Sequence, residues 1–236
     1  MRIWDVNPGY LNRQSLLGEH RELHAIVSII KNKKTGYSRH PETLRWQGFG
    51  WALSQRHRLL AAEMNLRGFT DRSPVLIKTQ PQKWPQVFVD SPTSQFSILE
   101  KKYVSKEQGR IPLPRNVQAL WAQHQYSVMA RDDAEYKYIG GWVAARKSGK
   151  GIDDIYPELV SLLRCPPAEG NLKKTIQHMW GYVFSFASIP GKAIKRKTSR
   201  NLLKEIQSLV FLYNIVYLKE STALGELPAW MRATKT

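Results

Sequence analysis

The segment Gly18-Glu19-His20-Arg21-Glu22-Leu23-His24 gathers two carboxylates, two imidazoles and a guanidinium into seven residues. A carboxylate can move a proton or steady a developing cation; an imidazole can move a proton or hold a metal. At about 100° per residue, Glu22 falls on the flank of an apolar stripe beside Ile26, with Gly18 and Ala25 as small neighbours at i−4 and i+3. Small residues there leave room for a substrate backbone, and apolar surface beside a half-buried carboxylate suits it to acid/base work. An ordinary exposed, ion-paired glutamate would have the same spacing. Glu19, nearer the stripe, is the alternative carboxylate and reads as structural. His20 and His24, at i and i+4, also suggest a metal pair, but no further ligand motif lies near them, so no metal and no cofactor is expected.

These residues need a helix to hold them. Leu16, Leu23, Ile26, Val27 and Ile30 recur at helical spacing and predict one over about Asn12 to Lys31, after an extended stub, Met1 to Leu11, with a turn at Asn7-Pro8-Gly9. A basic loop with Gly36 follows. A second helical stretch starts near Pro41, breaks around Gly48 and Gly50 and resumes to Arg67, with Gly68 placed to cap it. Between about Thr70 and Pro114, repeated prolines argue against long helices; the apolar Val87, Phe88, Val89, Phe96, Ile98 and Leu99 suggest a packed loop with one short helix near Ser94 to Tyr103. Beyond it, helices are expected near Asn116–Ala130, Asp132–Lys147, Ile152–Arg164, Leu172–Ala187 and Ser199–Tyr217. The expected fold is therefore all-α, two helical blocks joined by a Pro-rich irregular connector, with domains at 1–110 and 111–236.

The charge indicates a partner. Thirty-six Lys and Arg against nineteen Asp and Glu give +17, with a pI near 10.0. Such an excess fits a polyanion, because neutralising phosphates releases condensed counterions. Nucleic acid is the first expectation and an anionic membrane a distant second. Cys165 is the single cysteine, so an intrachain disulfide or a thiolate metal cluster is excluded, which favours a reducing compartment. The opening Met-Arg-Ile-Trp-Asp has no apolar leader, and no run is long enough to span a membrane; a cytoplasmic, nucleoid-associated protein is expected.

Arg2-Ile3, Glu19-His20-Arg21-Glu22-Leu23, His40 and Arg67-Gly68-Phe69 resemble, in order and spacing, the N-terminal region of the phage-type endonuclease V family. The similar region covers about residues 1–70. That family comprises pyrimidine-dimer DNA glycosylases with an associated strand-nicking lyase activity. The resemblance implies that the α-amine of Met1 attacks the sugar and that Glu22 assists. As a class, α-amines titrate near about 8 and lysines near about 10.4, so an α-amine supplies far more neutral nucleophile at neutral pH. The resemblance further implies damaged double-stranded DNA as partner, and Arg2, Arg21, His20, His24 and His40 as DNA-contacting residues. Arg2 is bulky enough to block removal of Met1, which is expected to be retained. Two features of the phage type find no match here: a basic residue on this helix, at or near Ala25, and a Tyr-rich C-terminal contact tail. A non-catalytic nucleic-acid-binding module, or a glycosylase for another modified base or for RNA, are the alternatives.

His124-Gln125-Tyr126-Ser127-Val128-Met129-Ala130, Tyr136 and Gln177-His178-Met179-Trp180-Gly181-Tyr182 resemble an uncharacterised bacterial helical domain, over about residues 120–229. No reaction comes with that resemblance. Convergence of His124, Tyr126, His178 and Tyr182 on a pocket is one expectation, and aromatic helix packing is the other. The acid-free basic run Lys192, Lys195, Arg196, Lys197, Arg200 and Lys204 is expected to contact DNA phosphates, chiefly through Lys195, Arg196 and Lys197.

Overall fold

The structure, a computed structural model, describes residues 1–77, 79–146, 151–187 and 197–231; among these it is helical, without strands. The chain divides into two compact units, Met1–Gly109 and Arg110–Thr236.

The first unit is built on α1 (Arg13–Lys31), α2 (Pro41–Trp46), α3 (Gly50–Leu66) and α4 (Pro92–Lys102). Asn12 caps α1 by accepting the Ser15 N–H at 2.9 Å. The face of α1 turned to the core carries Leu16, Leu23 and Ile26, all fully buried, and Glu19 lies within that same face. Pro41 stands in the first turn of α2 behind His40, whose ring nitrogen accepts the Glu42 N–H. Gly68, at φ +82°, takes the left-handed conformation that ends α3.

The extended stub is internal. Ile3, Trp4, Val6, Tyr10 and Leu11 are buried, and side chains from elsewhere in the unit bond several of the stub's backbone groups. Arg56 of α3 donates to Val6 O at 2.9 Å, and Arg67 donates to Leu11 O at 2.7 Å and Gly9 O at 3.1 Å. Gln95 of α4 accepts the Asp5 N–H at 2.7 Å and donates to the Asp5 carboxylate at 2.9 Å. The Tyr103 hydroxyl accepts the Asn12 N–H and donates to Tyr10 O. At Gly109 the backbone passes so close to Tyr10 that an added Cβ would lie 2.5 Å from its carbonyl. On α4, Phe96 and Leu99 are buried as expected of packed residues; in the irregular stretch before it Val87 and Val89 are exposed, and Val87 offers its carbonyl to Arg45.

The second unit contains α5 (Val117–Met129), α6 (Asp133–Ala144), α7 (Ile152–Leu163), α8 (Glu169–Val183), α9 (Ser199–Leu212), α10 (Val216–Lys219) and α11 (Thr222–Trp230). Helix α5 packs on α6, α7, α8 and α11. Arg131, just beyond it, is buried and donates to the Glu226 carboxylate at 2.8 Å and to the Ser127, Leu163 and Cys165 carbonyls, so it closes the C-terminal end of α7. The Ser127 and Thr222 hydroxyls meet at 2.7 Å, and Thr222 donates to Gln123 O.

The helix expected over Ser199–Tyr217 is interrupted. Asn214, at φ +48°, ends α9, and the Ile215 N–H closes back on Val210 O at 3.0 Å, a Schellman-type stop that an Asn tolerates. Helix α11 carries Gly225 and Pro228, residues that discourage a helix in sequence; its buried Thr222 and Glu226 hold it through the bonds to α5 and Arg131.

Candidate active site

The stub delivers the chain start to α1. The Arg2 backbone N–H donates to the Glu22 carboxylate, which puts that carboxylate one residue from the Met1 α-amine. The amine itself lies 3.5 Å from His40 Nε2. Because His40 also caps α2 through its other ring nitrogen, its orientation is fixed by the helix start.

Arg2, Trp4, Gly18, Glu22, Ile98 and Lys102 are among the residues that line a cleft of about 320 Å³. Its lining mixes apolar side chains with the cations of Arg2 and Lys102 and the carboxylates of Glu19 and Glu22. The Arg2 guanidinium pairs with Asp90 at 2.5 Å and lies 4.8 Å from the Trp4 ring; Lys102 approaches the same ring at 5.9 Å. Gly18 leaves its place open, since an added Cβ would meet nothing within 4 Å. Arg21 and Ala25 are exposed, Glu22 half-buried.

Glu19 has a different environment three residues earlier on α1. Its side chain is 0% exposed, gripped by Arg56 at 2.6 and 2.8 Å, and it accepts the Trp4 N–H at 3.2 Å. Burial pushes its carboxyl up to about 7, against the pull of Arg56. Both oxygens are committed to holding α1, α3 and the stub together, which leaves Glu22 as the carboxylate open to the cleft.

His20 and His24 face the other way. At about 100° per residue they stand roughly opposite Glu22 on α1. There they meet His57 of α3 and Asp71, the last from the segment after α3. The ring centroids are 4.7 Å apart for His20 and His24, 5.1 Å for His20 and His57, and 4.9 Å for His24 and His57. Asp71 Oδ1 is 3.2 Å from His20 Nε2, and Oδ2 is 3.5 Å from His57 Nε2. Burial holds His57 down at about 4, with His20, His24 and Arg58 adding to the effect and Asp71 opposing it; burial and His20 lower His24. Sequence spacing showed only the i, i+4 histidines. His57 and Asp71 reach them through the tertiary fold, and the aspartate in particular carries no local signal.

Of the basic run, Lys195 and Arg196 lie outside the described residues, as does Lys192. Lys197 is paired with Glu205, Arg200 donates to Met231 O at 3.0 Å, and Lys204 is exposed. In the second unit His124 is fully buried, its Nδ1 2.9 Å from Leu120 O, whereas His178 is exposed. Tyr126 and Tyr182 do meet, with Tyr217 as their third member: Tyr182 and Tyr217 rings lie 4.8 Å apart and Tyr126 packs edge-on to both. Burial raises the Tyr126 and Tyr217 hydroxyls above the usual phenol range, Tyr217 to about 12.

Residues 1–76 match the family model described as pyrimidine dimer DNA glycosylase. The match takes in the stub, α1 to α3 and Asp71, and implies DNA repair of the glycosylase type, with DNA as substrate. No curated protein and no solved structure matches the chain. Among the described residues, no helix is long and apolar enough to cross a membrane.

Proposed function

We propose that the N-terminal unit is a glycosylase with associated AP lyase activity, acting on damaged pyrimidines in double-stranded DNA, pyrimidine dimers first, through an imine on the Met1 α-amine. One observation carries the reading: Glu22, the open carboxylate of the cleft, is hydrogen-bonded to the backbone of Arg2, directly beside that amine.

The chemistry follows from this placement. A neutral amine attacks the sugar C1′, the C1′–base bond breaks, and its electron pair leaves with the base. Glu22 is placed to steady the positive charge that develops on the sugar. Loss of an amine proton and ring opening give the imine. His40, at 3.5 Å from the amine, is a second group that can accept a proton. The imine acidifies C2′–H; Glu22 removes that proton, and β-elimination expels the 3′ phosphate as the strand breaks. Arg2, Lys102 and the exposed Arg21 are placed to contact phosphates, Arg2 by exchanging Asp90 for one. We assign the chemistry to residues 1–110 and a supporting, DNA-contacting role to 111–236 through Lys197 and its neighbours.

The test is borohydride trapping on duplex DNA carrying one pyrimidine dimer, beside an abasic duplex and an undamaged one. A covalent adduct on the first two, mapped to the Met1 peptide, is the expected result. Absence of an adduct on both, or an adduct on an internal lysine, overturns the mechanism. A tag before Met1 abolishes trapping, and a tag after Thr236 leaves it unchanged.

A further inference from the structure

The geometry points to a structural zinc site formed by His20, His24, His57 and Asp71, on the side of α1 turned away from Glu22. One ring nitrogen from each histidine and one Asp71 oxygen all lie within 4.8 Å of one another. In a tetrahedral zinc site with bonds of about 2.0–2.1 Å, neighbouring donor atoms stand about 3.3 Å apart. One Asp71 oxygen lies 3.2 Å from His20 Nε2 and the other 3.5 Å from His57 Nε2, so the carboxylate stands at about that spacing from two of the rings.

A second observation is independent of the clustering. His57 is only 4% exposed, and its Nε2 makes no hydrogen bond; the Nε2 of His24 is likewise buried without one. Buried ring nitrogens without a hydrogen bond are rare in folded proteins, and two in one cluster call for a shared partner. A divalent cation at the centre satisfies both. The donor set selects the ion's class. Three imidazoles and one carboxylate, with no thiolate, suit zinc and are too nitrogen-rich for calcium or magnesium.

The role follows from where the ligands sit. Four protein donors close the coordination shell, the pattern of a structural rather than a catalytic zinc. His20 and His24 come from α1, His57 from α3, and Asp71 from the irregular segment after α3. One ion therefore pins three parts of the first unit together and fixes the rotation of α1, on whose opposite side Glu22 faces the cleft.

The experiment uses the tag-free full chain, stripped with a chelator and dialysed against micromolar zinc. Elemental analysis is expected to give one zinc per chain, and cobalt substitution the intense visible absorption of a four-coordinate ion. Zinc should raise the melting temperature of the stripped protein. His24→Asn and Asp71→Asn, confirmed folded by circular dichroism, should bind zinc at least about tenfold more weakly. His178→Ala, which alters an exposed histidine outside the cluster, should bind as the parent does. Well under one zinc per chain in the parent protein overturns the proposal, as does unaltered affinity in both folded ligand variants. Metal content is read without DNA, so the result is independent of the borohydride test.

Discussion

Each unit contains a buried arginine paired with a buried glutamate, Arg131 with Glu226 in the second and Arg56 with Glu19 in the first, and these two pairs serve different ends. In the second unit Arg131 and Glu226 join helix ends: the arginine spends its remaining donors on the carbonyls of Ser127, Leu163 and Cys165. In the first, Arg56 and Glu19 join two helices to an extended strand of backbone, through Val6 O and the Trp4 N–H. The Arg131 pair locks a bundle; the Arg56 pair holds the stub, and Met1 with it, beside a second carboxylate, Glu22, that has been left half-exposed. A buried ion pair is thus a scaffold in both places. What distinguishes the candidate site is the unburied partner one turn along.

The comparison breaks most visibly when either arginine is truncated. Arg56→Ala and Arg131→Ala are each expected to destabilise their own unit by about 3–5 kcal/mol, because each removes the cation that offsets a buried carboxylate. Hydrogen exchange followed by mass spectrometry locates the loss. Only the first variant should also release protection of the stub and reduce borohydride trapping. Equal loss of trapping in both would erase the distinction drawn between them.

Acid sharpens the contrast on the other unit. His124 is fully buried, and burial pushes its imidazole down to about 4 from its ordinary 6.5. A depressed imidazole binds protons better in the unfolded chain. Its contribution is therefore full above about pH 6.5 and is lost as pH falls towards 4, amounting to about 3 kcal/mol over that window. Denaturation of the second unit across that window should show this slope, and a folded His124→Gln variant should show less of it.

Glu22→Gln tests the open carboxylate. Base release should fall about 100-fold, equivalent to about 2.7 kcal/mol of barrier, with melting temperature and DNA affinity near those of the parent. Single-turnover kinetics on dimer-containing duplex measures it, and near-normal release would remove Glu22 from the mechanism. The smallest effect is expected at Gly18. Its Cβ position is open, so Gly18→Ala should stabilise α1 by about 0.5–1 kcal/mol, and Gly18→Trp should obstruct the cleft and lower base release without unfolding the protein. Thermal melts of the two variants beside their kinetics separate the helix effect from the cleft effect.

Local signals made most helices legible. Asn12, Asn116 and Asp132 each accept a backbone N–H at a helix start, and Gly68 and Asn214 end helices through left-handed backbone. The stop at Asn214 was missed because it is a single polar residue in the otherwise apolar and aromatic stretch Leu209 to Tyr217, and α11 because its support is tertiary. Within the cleft, Glu22 and Gly18 were readable from helical phase. Asp90, which occupies the Arg2 guanidinium, and Asp71, which completes the histidine cluster, both come from irregular segments where no periodicity exists to mark them. The resemblance implied His20 and His24 as DNA contacts; the structure shows their rings against His57 of α3, a contact that their i, i+4 spacing alone does not reveal.

The contact between Gly109 and the Tyr10 carbonyl bears on how this protein would look to a mutational survey. Any side chain at position 109 pushes on backbone, not on a flexible neighbour, so relief requires moving the stub that Arg67, Gln95 and Tyr103 hold. Displacing the stub displaces Met1 with it. In a selection for repair, Gly109 would therefore tolerate substitution as poorly as Glu22 does, although it is not among the residues lining the cleft. Intolerance alone would draw the boundary of the site too wide, taking in a residue whose whole contribution is the space it does not fill.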